Sequence, residues 1–222
     1  MAIEIDTKDC TALSDADFAE MADICAESPG DLGVGILSKQ AEAWVLVTLA
    51  RDNGKLKGFS FSTLERIGGT PSVLVGVASI KRTSKRDSIL RGIMHDQLRR
   101  AVLAFPDEDV LIGARFNDPA GFEAYRQLDD IVPRPGHKAS GEERAWGRRL
   151  AKRFGIDSGS YDDRTFNAKG DGTVACVLDH SSLKPDGIDP DVVAMFVDLD
   201  VARGDSLIAF GWAMAEDLAK LA

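Results

Sequence analysis

WVLVTLARDNGKLKGFSFSTLERIGGTPSVLVGVASIKRTSKRDS, running from Trp44 to Ser88, is the stretch on which the fold turns. Trp44 to Ala50 is rich in β-formers. Asp52-Asn53-Gly54-Lys55 is a hairpin turn, because Asn-Gly accepts positive φ at both central positions. Leu56 to Leu64 returns with near-alternating apolar residues. Gly68-Gly69-Thr70 turns the chain again, and Pro71 suits a strand start. Val73 to Ile80 is apolar almost throughout, as in a central strand buried on both faces. Gly76 within it predicts a bulge or a close approach to the backbone. The strand then runs into KRTSKRDS, 81–88, a cationic loop that opens a helix. Unpaired amides and the helix dipole make such a place suited to phosphate.

Working outward, Ile3 and Ile5 alternate with polar residues in a short first strand. Ser14 caps a helix that carries Phe18, Met21, Ala22 and Cys25 at helical spacing. Ser28-Pro29-Gly30 breaks it, and Ile36, Leu37 and Gln40 share a face of a short second helix. Ser88 to Ala104 reads as a helix capped by Asp87 or Ser88 and stopped at Pro106-Asp107. Val110 to Ala114 is a further strand. Asn117-Asp118 caps a helix through Phe122, Tyr125 and Leu128, with Pro119 in its first turn. Gly141 to Phe154 is a basic helix. Thr165 to His180 predicts a hairpin across Lys169-Gly170-Asp171-Gly172, with Val174 to Leu178 as its better strand. Asp189-Pro190 starts another helix. Gly204-Asp205 restarts a last one, Ser206 to Leu221, whose LIAFGWAM run is apolar nearly all round. Such a helix is buried in the core or against a partner.

The 222 residues carry 44% hydrophobic side chains, enough for a packed core. No apolar run reaches the roughly 20 residues needed to span a bilayer. The N-terminal MAIEIDTKDC has no basic n-region or apolar h-region. Three widely spaced cysteines, Cys10, Cys25 and Cys176, fit reduced thiols of a cytoplasmic protein and show no metal spacing. No His/Asp/Glu spacing suggests a metal either. A net charge of −9 opposes bulk attraction to nucleic acid or an anionic membrane. Two basic clusters stand out against it, Lys81 to Arg100 and Arg134 to Arg153, followed by an acidic stretch from Asp157.

The order strand, helix, short helix, three antiparallel strands, helix, strand, helix resembles that of the GCN5-related N-acetyltransferase (GNAT) superfamily. DNGKLKGFSFS resembles its second hairpin, VLVGVASI its long bulged fourth strand, and ARFNDPAGFEAY its fifth strand and following helix. The resemblance covers residues 1–130. It implies an α/β (α+β) fold with a mixed, mostly antiparallel central sheet flanked by helices. We divide the chain into a GNAT-like domain, 1–154, and a C-terminal hairpin with a two-helix extension, 155–222.

The resemblance also implies an N-acyltransferase that uses acetyl-CoA or another acyl-CoA on a small-molecule or protein amine. Val77 or Ala78 would polarise the carbonyl through a backbone N–H. Tyr125 would be the general acid; apart from the resemblance, Glu65, late in the third strand, is the candidate general base, with ordered water as the alternative. Ile80, Arg82, Lys85, Arg86, Ser88 and Asn117 would line the donor site. The family's pyrophosphate loop has glycines where this chain has Lys85, Asp87 and Ser88, so cationic side chains would stand in for a backbone cradle. The alternatives are a fold of this type that has lost CoA use and binds or modifies nucleic acid through its basic segments, and a non-catalytic interaction protein. The C-terminal LIAFGWAM face is expected to make a homodimer contact or to roof the acceptor site.

Overall fold

The computed structural model describes residues 3–28 and 32–221; the expected break at Pro29-Gly30 lies outside them. The elements run β1 (Glu4–Asp9), α1 (Asp15–Cys25), α2 (Val34–Ala43), β2 (Leu46–Asp52), β3 (Lys55–Ile67), β4 (Thr70–Ile80), α3 (Arg86–Ala104), β5 (Val110–Phe116) and α4 (Pro119–Tyr125). Then follow β6 (Asp129–Val132), α5 (Gly141–Arg153), β7 (Tyr161–Asp162), β8 (Asn167–Ala168), β9 (Leu178–Asp179), α6 (Pro190–Ala194), β10 (Ser206–Ala213) and α7 (Ala215–Leu218). This is a mixed α/β fold with a mostly antiparallel central sheet flanked by helices. The sheet order is β1-β2-β3-β4-β9-β5-β10-β8-β7, with β6 also on β10.

Local chemistry explains the first half. Asn53 (φ 54°) and Gly54 (φ 74°) form the turn between β2 and β3. Ser14 and Asp17 make a reciprocal capping box at α1. Asp17 also binds Lys8 of β1 and Arg51 of β2, each at 2.9 Å, so one carboxylate ties three elements together. Desolvation pushes the Asp17 carboxyl up, but the Ser14 and Lys8 hydrogen bonds outweigh it and bring its pKa down to about 2. Asp118 caps α4, as the sequence predicts, and Ser140 caps α5. At α3 the expectation of an Asp87 or Ser88 cap is corrected. Lys85 takes the N-cap position, and no side chain caps the helix.

β4 is buried from Pro71 to Ile80. Its pairing with β3 jumps from Ser62↔Val75 to Ser60↔Ala78, which places a bulge at Gly76-Val77. Gly76 is required there. A Cβ at this position would stand 2.3 Å from the Trp44 indole.

Three expectations for the second half are corrected. The LIAFGWAM run is a strand, not a helix. β10 pairs with β5 along Leu207–Ala213 on one side and with β6 and β8 on the other. It is apolar all round because both its faces are covered, the same reason that holds for β4. Most of its burial is met within the chain's own sheet. The division at 154/155 does not follow the sheet, because the later residues supply β9 and β10 to it and carry only the short helices α6 and α7 besides. Finally, the short hairpin is β7/β8, while Gly170 and Gly172 donate their N–H groups to Asp205 and Arg203 rather than closing a turn between strands.

Among the described residues, no helix is long and apolar enough to cross a membrane. Cys10 and Cys25 are buried in the core, whereas Cys176 is half-buried on a cavity wall.

Candidate functional site

β4 and β5 are parallel partners from Ser72↔Leu111 to Val75↔Ala114. At the bulge β4 turns away, and the two strands diverge. Residues 177–182 enter the gap from the long β6–β10 connection. β9 pairs in parallel with both walls, Leu178 facing Ala78 on one side and Phe116 on the other. The Ala78 N–H donates to the Val177 carbonyl at 3.2 Å. Leu178 is 1% exposed, and a Cβ on Gly121 of α4 would stand 2.8 Å from its Cδ2. Burying a leucine this way contributes about 2 kcal/mol.

Polar contacts fasten the segment at the cationic loop. Asp179 accepts from Ser79 Oγ at 3.1 Å and from Arg82 Nη2 at 3.1 Å. Arg86 donates to the Ser182 carbonyl at 3.1 Å. His180 Nε2 lies 3.0 Å from Asp87 Oδ1, in the first turn of α3, and its Nδ1 is buried without a hydrogen-bond partner. Asp179 and His180 therefore face different partners and do not form a dyad. Burial pushes the His180 pKa below the ordinary histidine value, although Asp87 pulls it up. Protonating Nδ1 would place a charged donor where no acceptor waits. Burial pushes Asp118 up, and the Asp179 charge adds to this.

The sign of this histidine effect is testable. Its pKa is lower in the closed segment than in an open one, so the open form gains the proton as pH falls through the ordinary value. Going from about pH 7.5 to about pH 5 should therefore lower the protection factor of the Ala78 amide, its intrinsic exchange rate at each pH divided by the observed one, and His180→Gln should remove the dependence. An unchanged protection factor across this range in the native protein would overturn the assignment.

The structure gives each expected donor residue a place. Ala78 and Arg82 border the gap and are engaged by residues 177–179. Val77 sits in the bulge, and Ile80 is buried at the strand end, 1% exposed. Lys85 pairs with Asp52 at 2.7 Å, and Lys81 with Glu27 at 2.8 Å. Ser88 is exposed on α3, and Asn117 is half-buried between β5 and α4. Each cation of KRTSKR thus already holds a partner within the chain. Tyr125 is 3% exposed, with its ring on Phe116 at 5.2 Å. Burial raises its phenol above the ordinary value, so it stays protonated. Glu65 lies opposite Ser72, on the other side of the bulge from Ala78, and pairs with Arg153 at 2.8 Å.

Part of the second basic cluster is also paired within the chain. Arg148 pairs with Asp163, Arg153 with Glu65, and Arg134 with Asp130 and Glu143. His137 lies 2.9 Å from Glu143. No group of three or more His, Cys, Asp or Glu able to hold a metal occurs among the described residues.

On the opposite face of the sheet, under α2 and α5, lies a cavity of about 450 Å³. Trp44, Arg115, Phe154 and Cys176 line it. Trp44 connects the two regions, since its ring lies against Gly76 at the bulge. The sequence reading missed Leu178, Asp179 and Arg115. The strand signal at Val174–Leu178 was present, but nothing in it named β4 as the partner.

No family model matches the chain, and no curated protein matches it in sequence. Solved structures similar to it include a probable acetyltransferase from Staphylococcus epidermidis ATCC 12228 at 9% identity, covering 63% of this chain and 91% of that one, with a TM-score of 0.44. The ribosomal-protein-S18-alanine N-acetyltransferase from Escherichia coli is similar at 10% identity over 63% of this chain and 86% of that one, TM-score 0.42. The aminoglycoside 6'-N-acetyltransferase from Enterococcus faecium is similar at 11% identity over 50% of this chain, TM-score 0.41, and the match spans 61% of that enzyme's length.

Proposed function

We propose that the chain is an acyl-CoA-dependent N-acyltransferase, acting on an amine, whose donor gap is held shut by residues 177–182. The observation that carries the reading is the divergence of β4 from β5 at the Gly76-Val77 bulge, above the cationic start of α3. In the closed form the gap does not fit an acyl-CoA. The Ala78 amide, Arg82 and Arg86 are all satisfied by the segment, and the first turn of α3 has no glycine among residues 85–88. Activity therefore requires the segment to leave. The open chain would offer the Ala78 N–H as a donor to a carbonyl oxygen and the Tyr125 phenol as a proton donor. Glu65 would have to leave Arg153 to act as a base.

A second reading, a scaffold that has given up acyl-CoA and serves as an interaction protein, is favoured by one observation: every cation of the 81–86 loop is bonded within the chain.

Calorimetric titration of CoA and acetyl-CoA into the wild-type chain and an Asp179→Ala variant separates the two. Removing Asp179 releases Arg82 and Ser79, so binding should tighten by roughly tenfold or more. No binding to either protein at millimolar ligand would remove the acyl-CoA reading and leave the scaffold.

A further inference from the structure

The cavity under α2 and α5 holds an unneutralised arginine. Arg115 alternates with Ala114 and Phe116 along β5, so its side chain leaves the sheet on the face opposite α4. Its Nε and Nη2 donate to Ser206 Oγ at 3.1 and 3.0 Å. Among the described residues it makes no ion pair, unlike Arg82, Arg66 and Arg153. Burial disfavours its charge, and the neighbouring group that counters this is the thiol of Cys176. A desolvated guanidinium without an anion is costly, and it keeps further N–H donors for one.

The other charges at the cavity divide clearly. Arg153 is held by Glu65, and Asp171 caps Thr173. Lys169 and Asp157 are exposed at the wall and have no side-chain partner among the described residues. Trp44 and Phe154 form an apolar wall with ring centroids 6.1 Å apart. The volume, about 450 Å³, lies within the range for small-molecule sites.

We propose that this cavity binds a small zwitterion of the α-amino-acid type, its carboxylate on Arg115 and Lys169 and its ammonium group towards Asp157. The planar guanidinium fork matches a carboxylate. The two acids at the wall, Asp157 and Asp171, repel a dianionic phosphate. The site stands whether or not the gap takes acyl-CoA. If it does, the proposal names the class of the acceptor, and its test uses no donor.

The test is an NMR titration of the full chain with each standard L-α-amino acid and inorganic phosphate. The best amino acid is then compared with its decarboxylated amine and its deaminated acid. Saturable shifts should centre on the Arg115 Nε–H and the amides of residues 169–176. Binding should weaken roughly tenfold or more for the decarboxylated amine and for Arg115→Gln. Lys169→Ala, at an exposed position, should fold normally and weaken binding severalfold. If Arg115→Gln fails to fold, the wild-type Nε–H signal and Lys169→Ala decide. The proposal is overturned if no amino acid shifts these signals by about 10 mM, if the decarboxylated amine binds equally well, or if phosphate binds best.

Discussion

A Leu178→Asp chain should lose about 3–5 kcal/mol of stability, because an unpaired carboxylate would replace a fully buried side chain. Leu178 is 1% exposed between Ala78, Phe116 and Gly121. Asp118 and Asp179 already bring negative charge to this end of the sheet. The cheapest relief is expulsion of residues 177–182, with β1, β2 and β3 left intact. Urea denaturation should show the loss, and limited proteolysis should find new cleavage between Val174 and Leu183. A midpoint shift worth under about 0.5 kcal/mol, without new cleavage, would contradict the placement of β9.

The second large effect is expected at the bulge. Gly76→Val should cost about 3 kcal/mol, since its Cβ would fall 2.3 Å from the Trp44 ring. Trp44 cannot easily yield. Its Nε1 donates to Gln40 at 3.1 Å, Phe154 packs against it, and the Arg153 guanidinium lies 5.4 Å over its ring. Trp44→Ala should therefore be less harmful in the Gly76→Val background than in the wild type. The coupling in a double-mutant cycle should exceed about 1 kcal/mol. Additive costs would mean that the indole does not fill the space over Gly76.

These two positions also mark where the sequence could and could not be read. The bulge was legible because a lone glycine in an apolar strand has few structural reasons to be there. The Asn53-Gly54 turn, the Ser14 and Asp118 caps and the order of elements to Tyr125 are likewise set by neighbouring residues. β10 was not legible as a strand. An eight-residue apolar run lacks the period that separates a doubly covered strand from a buried helix. β9 is only two residues long, and its partners on β4 and β5, Ala78 and Phe116, lie far earlier in the chain than Leu178, so only tertiary contact brings them together. The cationic loop was read correctly as charged and helix-opening. Its charge, however, is met by Glu27, Asp52, Asp179 and the Ser182 carbonyl, and long-range pairings of this kind leave no local mark.

The central claim is that residues 177–182 occupy the gap that a donor would need. Amide hydrogen exchange of the wild-type chain, with and without saturating CoA, tests it most directly. Without CoA, Ala78 and the 177–182 segment should be protected together. With CoA, residues 177–182 should exchange rapidly while β2 and β3 keep their protection. CoA binding that leaves the 177–182 segment as protected as before would contradict the account.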